Sequence, residues 1–329
     1  MDRRQFLRNS AVTAGSAGAT FALQESLHAT SSTRTEKTYR VGIIGSTGKG
    51  NYGHGLDTVW KSIPQVEIAA VADDNPAGLA QAITRTKASK GYHDYRQMLD
   101  KEQLDFVNVC PRWPDCHVEM VIACAEAGVK GILCEKPFAR TLAEADSMLE
   151  ACDRNGTRLA IAHRRVNAYE QHAKKLIDQG AIGDIKVLRG HDKADSRAGA
   201  QLLIVLGAHI FDSMRWFAQS EVDWAYGHVT QDGREVTKDD IREGDERVGL
   251  LAGNGIAAYY VFQNGITAHY ESYPGNISGK TGPIDRTRNE RWFGFEIYGT
   301  DGIIALRDSP TGEMYMYPHD LWIPGEADG

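Results

Sequence analysis

Short continuous apolar segments alternate with helical segments through the first half of the chain. The apolar segments are residues 41–44, 66–71, 104–110, 131–134 and 158–162. Runs of this length without polar alternation are typical of strands that are buried on both faces. The helical segments between them are residues 55–62, 77–87, 116–127 and 142–154. This alternation predicts an α/β fold with a doubly wound, parallel Rossmann sheet over residues 39–164.

The pattern changes after about residue 165. Helices are predicted over residues 169–179 and 207–218, with a strand over 185–193 between them. Short alternating segments then dominate, namely residues 248–251, 256–262, 266–273, 293–298 and 303–306. Gly or Asn separates most of them, as expected for antiparallel strands. We therefore predict a second α/β domain over residues 165–329, with an open, mostly antiparallel sheet and the active site in the cleft between the domains.

The first 30 residues differ from the rest. They carry the pair Arg3-Arg4, followed by a weakly apolar stretch from Ala11 to Leu23. This arrangement resembles a twin-arginine export signal, and residues 31–38 are typical of a polar linker. The expectation is a protein exported in the folded state to the periplasm or another extracytoplasmic compartment. An ordinary N-terminal helix or an uncleaved anchor is the alternative.

Composition narrows the possible partners. The chain has 329 residues, enough for two domains, and a net charge of −7, which argues against nucleic acid or an anionic membrane as its partner. The five cysteines form no C-x-x-C pair and their number is odd. We therefore expect neither a disulfide framework nor a structural zinc site, and we predict no metal.

A glycine-rich loop follows the first predicted strand. Its sequence is Gly45-Ser46-Thr47-Gly48-Lys49-Gly50. Dinucleotide-binding loops have the pattern G-x-G-x-x-G, in which glycines allow the pyrophosphate to approach the N-terminus of a helix. Gly45 and Gly50 hold the outer positions, Thr47 replaces the middle glycine, and Gly48 is placed to take over its role. The loop predicts a pyrophosphate site, with a plain turn as the alternative.

Asp73 ends the second predicted strand, where a carboxylate can accept hydrogen bonds from ribose hydroxyls. Its charge would repel a 2′-phosphate, Asp74 adds to that charge, and no arginine is adjacent. The prediction is NAD as the cofactor, in preference to NADP. A capping or turn carboxylate is the alternative reading of Asp73.

The segment Leu133-Cys134-Glu135-Lys136-Pro137 spans the end of the fourth predicted strand and the residues directly after it. The proline fixes the direction of the chain, and the lysine offers one charge and three donors at the end of the sheet. Lys136 is therefore expected to meet a bound substrate, where its ammonium would stabilise a developing alkoxide. The alternative is a surface ion pair with Glu135.

Several elements occur together in a recognisable order. They are the glycine loop, Asp73, Val109-Cys110-Pro111, His117, Glu135-Lys136-Pro137 and Gly207-Ala208-His209-Ile210-Phe211-Asp212. The set resembles the glucose–fructose oxidoreductase/inositol dehydrogenase (Gfo/Idh/MocA) family over residues 38–310. The resemblance implies hydride transfer between a nicotinamide cofactor and a sugar, cyclitol or related polyol. It also implies homo-oligomerisation through the outer face of the C-terminal sheet.

The resemblance assigns roles residue by residue. Lys136 matches the lysine that contacts the substrate hydroxyl and the cofactor, and His209 matches the acid/base histidine. Arg164 and Arg165 fall near the cleft, where they are expected to contact substrate. Three further residues are expected to border the cofactor, namely Pro111, His117 and Glu135.

One departure concerns the position four residues before His209. Many relatives have an aspartate there, whereas this chain has Val205. Asp212, three residues after His209, could share its helix face and its acid/base role. Asp192 and Asp195 are other candidate carboxylates, and Asp192 is expected to contact substrate unless its segment is a solvated loop.

Three functions follow from these expectations. The first is an exported NAD-dependent oxidoreductase that acts on a sugar or polyol. The second is a glycosidase or lyase that retains NAD and acts by transient oxidation and elimination. The third is a non-catalytic sugar-binding protein, which the apolar Val205 would suit.

Overall fold

A computed structural model describes residues 37–274, 293–307 and 313–318. The predicted export signal, residues 1–30, and most of the predicted linker lie outside these ranges. The described residues divide into two compact units, with the boundary between Ala162 and His163. Within the described ranges, no helix combines the length and the apolar character needed to cross a bilayer.

The first unit is a six-stranded sheet with helices. Its strands are β1 (Tyr39–Ile44), β2 (Val66–Ala72), β3 (Lys90–Tyr92), β4 (Phe106–Val109), β5 (Gly131–Cys134) and β6 (Arg158–Ile161). All neighbours are parallel, and their order is β3-β2-β1-β4-β5-β6. The α-helices are α1 (Pro76–Thr86), α2 (Tyr95–Lys101), α3 (His117–Glu126) and α4 (Leu142–Asn155). The predicted doubly wound Rossmann sheet is confirmed.

The helix predicted over residues 55–62 is wrong in type. The segment Leu56–Ser62 is a 3-10 helix of 7 residues, and it has no side-chain cap. Gly50, Gly53 and Gly55 precede it with φ angles of 90°, 60° and 83°. Because these left-handed conformations interrupt the chain, no α-helix begins directly behind the glycine loop.

The second unit has a mixed sheet. Its strands are β7 (Ile185–His191), β8 (Val222–Gln231), β9 (Arg234–Glu235), β10 (Arg242–Glu243), β11 (Leu250–Leu251), β12 (Gly255–Phe262), β13 (Thr267–Ser272), β14 (Gly294–Gly299), β15 (Gly302–Arg307) and β16 (Glu313–Pro318). Eight of them form one sheet in the order β16-β15-β14-β7-β13-β12-β8-β9, in which only β7 and β13 are parallel neighbours. The predicted open, mostly antiparallel sheet is confirmed.

In the described part of this unit three α-helices accompany the sheet, namely α5 (Ala168–Asp178), α6 (Ala200–Val205) and α7 (Gly207–Ala218). Helix α7 packs closely on β7, since a Cβ at Gly190 would lie 2.2 Å from Ile210 Cγ2. Val205 is 2% exposed and belongs to the apolar core of this unit. The residue that replaces the expected aspartate is therefore a packing residue.

Candidate functional site

The glycine loop closes on itself as a tight turn. Ser46 N donates to Asn51 O at 3.1 Å, and Asn51 N donates back to Ser46 O at 2.9 Å. Gly48 N donates to Asn51 Oδ1 at 2.9 Å. A Cβ at Gly48, where φ is 86°, would meet no atom within 4 Å. Several backbone N–H groups of the turn therefore donate within the turn itself, and the space next to Gly48 is open.

Thr47 and Asp73 join the loop to the end of β2. Thr47 Oγ1 donates to Asp73 Oδ2 at 2.7 Å, and Asp73 Oδ1 accepts from Thr47 N at 3.1 Å and Asn75 N at 3.0 Å. Burial of Asp73 raises its pKa, but these hydrogen bonds outweigh burial, and the net pKa is lowered. The side chain is 1% exposed. A ribose hydroxyl at Asp73 would either join these hydrogen bonds or replace one of them, so the ribose role stays a prediction.

The loop lies where dinucleotides bind in open parallel sheets. Strand β1 pairs with β2 on one side and β4 on the other, and ligands bind at the carboxyl ends of strands where the order reverses. Gly50 packs against the segment after β4, since a Cβ there would lie 2.3 Å from Arg112 N. A cavity of about 380 Å³ beside the loop is lined by Thr47 and Gly78, among others. This position, the open glycine and the Asp73 carboxylate fit a dinucleotide.

His117 lies in the interior of the first unit and not at the surface that the predicted cofactor contact requires. Its ring is fully buried. Nε2 lies 2.7 Å from Pro111 O, and Nδ1 lies 3.1 Å from Phe138 O. Both ring nitrogens are thus occupied by backbone carbonyl groups. We correct the assignment of His117 from a cofactor contact to a side chain that joins the Pro111 turn to the segment after Lys136. The role of Pro111 beside the nicotinamide stays a prediction.

Glu135 and Lys136 follow β5 at the same edge of the sheet. Both residues are buried, and the Lys136–Pro137 peptide bond is cis. Glu135 Oε2 accepts from Lys136 N at 2.7 Å, and Glu135 Oε1 lies 2.5 Å from His54 Nδ1. The Glu135 carboxylate therefore contacts protein groups, including a residue of the loop region that the sequence did not single out.

In the second unit, His209 lies in the first turn of α7. Its ring meets the ring of His163 edge to face, with a centroid separation of 5.5 Å. His163 was not predicted. Lys136 belongs to the first unit and His209 to the second, so their joint action on one substrate stays a prediction.

Three other predicted residues of the second unit, Asp212, Arg164 and Arg165, have charged partners. Asp212 forms an ion pair with Arg165. Arg164 Nε lies 3.0 Å from Glu170 Oε1. Arg165 and Asp212 were predicted independently, and the structure brings them together. Their roles towards substrate stay predictions.

Asp192 is enclosed, contrary to the predicted substrate contact. It is 0% exposed. Oδ1 accepts from Ala194 N at 2.8 Å, and Oδ2 accepts from the Tyr270 hydroxyl at 3.4 Å. Burial, partly offset by hydrogen bonds, raises the pKa of Asp192 to about 6. Since no atom of this carboxylate reaches the surface, we correct its assignment to an internal residue of the second unit.

No metal centre is evident in the described part of the chain, which contains no group of three or more His, Cys, Asp or Glu side chains that could hold an ion.

Two family models match this chain. Residues 39–163 match the model described as an oxidoreductase family with an NAD-binding Rossmann fold, and residues 171–305 match the GFO/IDH/MocA C-terminal domain. Together the matches span most of the chain. The chain belongs to the Gfo/Idh/MocA family. The match confirms the predicted family and its NAD-binding Rossmann domain.

Named Gfo/Idh/MocA relatives are dehydrogenases. Levoglucosan dehydrogenase of Pseudarthrobacter phenanthrenivorans is 28% identical over 275 residues, which are 75% of this chain and 66% of the relative. Myo-inositol 2-dehydrogenase of Thermotoga maritima is 28% identical over 210 residues, 61% of this chain and 60% of the relative. The chain thus spans less than two thirds of the length of these curated relatives.

Solved structures of other oxidoreductases resemble this chain in fold. A levoglucosan dehydrogenase in complex with NADH and levoglucosan matches with a TM-score of 0.63 and 25% identity, covering 85% of this chain and 76% of that one. An NAD-binding oxidoreductase from Klebsiella pneumoniae has a TM-score of 0.64 at 20% identity, covering 88% of this chain and 78% of that one. The second match supports the fold alone.

Proposed function

We propose that this protein is an exported NAD-dependent oxidoreductase that moves a hydride between nicotinamide and a sugar, cyclitol or related polyol. One observation carries the proposal. Lys136 follows β5 at the carboxyl edge of the Rossmann sheet, and its neighbour Glu135 contacts His54 of the glycine-loop region at 2.5 Å. An ammonium group beside a dinucleotide-binding loop can stabilise a developing alkoxide in a site that excludes water.

The proposed chemistry divides between the two units. NAD, when bound, would accept the hydride from the carbinol carbon. Lys136 would bind the substrate oxygen and hold its negative charge, and His209 would take the hydroxyl proton as general base. The names of the relatives point to levoglucosan and myo-inositol as the first compounds to test.

The test is reduction of added NAD across a panel of anhydrosugars, cyclitols and aldoses, followed by absorbance. Lys136→Met is expected to lower kcat/KM for an active substrate by about 10²–10³-fold, the usual size for one electrostatic group. Lys101→Met, at an exposed position of α2, is the matched control and should leave the rate unchanged.

Other outcomes would contradict the proposal. NADH that binds without turnover of any compound in the panel would count against net redox chemistry. Cleavage of aryl glycosides without added NAD would instead support the glycosidase or lyase alternative. Sugar binding that is unchanged by Lys136→Met, with no turnover of either kind, would support the non-catalytic alternative.

We also propose a homo-oligomer built on the open face of the C-terminal sheet. Trp224 and Tyr226 of β8 are 51% and 65% exposed, and the Trp224 ring lies 5.5 Å from that of Tyr259 on the neighbouring strand. Exposed aromatic patches of this kind favour association. Trp224→Arg with Tyr226→Glu is expected to reduce the mass measured by light scattering to that of a monomer. An unchanged mass would oppose this interface.

Export by the twin-arginine route is the remaining part of the proposal. It is supported by Arg3-Arg4 and the weakly apolar stretch behind them. Replacing both arginines with lysine keeps the charge while removing the pair. Retention of the variant in the cytoplasm, seen by cell fractionation, is the expected result; normal export of the variant would contradict the route.

A further inference from the structure

His54 connects the glycine-loop region to the segment that carries Lys136. Its Nδ1 lies 2.5 Å from Glu135 Oε1, across 81 residues of sequence. The neighbouring Gly53 has a φ of 60°, and a Cβ there would lie 2.7 Å from Cys110 O and 2.8 Å from Glu135 Oε1. The backbone at Gly53 therefore lies against the ends of β4 and β5. This close packing places the His54 ring next to Glu135.

The buried carboxylate of Glu135 depends on its hydrogen-bond donors. The residue is 1% exposed, and a buried carboxylate is stable only with donors around it. Burial raises the pKa of Glu135, but the hydrogen bonds from His54 and from the backbone N–H of Lys136 outweigh burial and leave the pKa below its ordinary value. The carboxylate is thus ionised, and His54 Nδ1–H is the donor.

The two oxygens of Glu135 hold two different segments. Oε1 contacts His54, and Oε2 accepts from the backbone N of Lys136 at 2.7 Å. If Oε1 lost its donor, the side chain would turn towards other donors or take up a proton, and the bond to Lys136 N would change with it. The position of the Lys136 backbone therefore depends on a ring 82 residues earlier in the sequence.

We propose that His54 is a positioning residue that acts through Glu135 to fix the backbone from which the Lys136 amine projects. The inference rests on the proposed function only in so far as Lys136 acts on substrate. If this is so, the glycine-loop region has two roles. It borders the cofactor site, and through His54 it also fixes the position of Lys136.

The exposure of His54 makes the proposal testable. Its side chain is 59% exposed, so truncation removes little buried apolar surface. His54→Ala removes the donor, and His54→Asn keeps an amide nitrogen near the place of Nδ1. His93→Ala, at another exposed histidine of the first unit, is the matched control. Thermal melting of each variant checks that it is folded.

Three measurements are made on the full-length protein, namely NADH affinity by fluorescence, the rate of Lys136 acetylation by peptide mass spectrometry, and kcat and KM. For His54→Ala we expect about a tenfold lower kcat, a KM within about threefold, and an acetylation rate changed by about threefold or more, as for loss of one supporting hydrogen bond. His54→Asn should restore most of each change, and His93→Ala should match the parent protein.

The outcomes separate this inference from the proposed function. A changed Lys136 acetylation rate in His54→Ala, rescued by His54→Asn, supports positioning even if no substrate is turned over. Unchanged acetylation and unchanged kcat in a folded His54→Ala variant overturn it. Equal effects of His54→Ala and His93→Ala, or an Asn variant that behaves like the Ala variant, also overturn it.

Discussion

Arg165 and Asp212 form a two-point ion pair within the second unit. Arg165 Nε donates to Asp212 Oδ2 at 2.7 Å, and the terminal Nη2 donates to Oδ1. Such a contact engages both carboxylate oxygens and fixes the orientation of both side chains. Asp212 is therefore better suited to anchoring Arg165 near the start of the unit than to accepting a proton from His209.

The ion pair predicts that replacing either residue lowers the stability by a similar amount. Arg165→Met or Asp212→Asn alone should lower the free energy of unfolding by about 1–3 kcal/mol, because each leaves a partly buried charge without its partner. The double variant should lose no more than the worse single one. Urea unfolding of the four proteins measures this coupling. Additive losses would show that the two side chains contribute independently.

Thr47 and Asp73 give a second prediction. Thr47→Val keeps the shape of the side chain but removes the Oγ1 donor to Asp73, while Thr47→Ser keeps the donor. We expect Thr47→Val to weaken NADH binding by about tenfold, since the Asp73 carboxylate would lose a hydrogen bond that orients it, and about 1.4 kcal/mol corresponds to a factor of ten. Thr47→Ser should bind NADH almost as the parent does.

Fluorescence titration with NADH measures this effect. Tighter binding by Thr47→Val would mean that Thr47 competes with the ribose for Asp73, which is the opposite of a supporting role. The comparison therefore decides whether the hydroxyl at the middle-glycine position helps or hinders the cofactor.

Asp192 predicts a pH dependence of stability. Its pKa is raised to about 6 in the folded protein, whereas an unfolded aspartate titrates at about 3.9. Between these values the folded state binds the proton and the unfolded state does not. The stability from this group is therefore fully present below about pH 4, decreases as pH rises to about 6, and is flat above that, a change of about 2–3 kcal/mol at most.

Asp192→Asn should remove this decrease. Urea unfolding at several pH values, with Asp195→Asn as the neighbouring control, gives the measurement. A parent and a variant with parallel stability profiles across the window would contradict the raised pKa of Asp192.

The sequence predicted five of the six strands of the first unit, because a strand covered on both faces needs only a short apolar run, as in Val41 to Ile44. It missed β3, a strand of 3 residues that is largely exposed. It predicted helix α7 with its observed limits. It failed at residues 55–62, where side-chain periodicity indicated a helix but the positive φ angles of Gly53 and Gly55 left only a 3-10 turn. Backbone conformation at glycines is not visible in a hydrophobic pattern.

The candidate site was less accessible to prediction for another reason. Residue type indicated Lys136, Asp73 and Asp212 as candidate site residues. The contacts that position such residues come from positions far away in sequence. His54 meets Glu135 across 81 residues, and Thr47 meets Asp73 across 26. The parallel sheet brings such pairs to one edge. The sequence alone therefore indicated the charged residues but not the hydrogen-bond partners that fix their side chains.

Val205 gives the last prediction. The family pattern would suggest that Val205→Asp restores a missing catalytic carboxylate. The structure predicts the opposite, since Val205 is 2% exposed within the apolar core of the second unit. An aspartate there would be a buried charge without a built partner, and we expect Val205→Asp to lower the free energy of unfolding by about 3–5 kcal/mol.

Thermal and urea unfolding test this expectation, with Val205→Ala as the control for lost packing. The Ala variant should lose less stability than the Asp variant, because it leaves a cavity but buries no charge. A stable Val205→Asp protein with faster NAD reduction would instead mean that position 205 reaches the substrate, and that the acid/base partner of His209 can be supplied from α6.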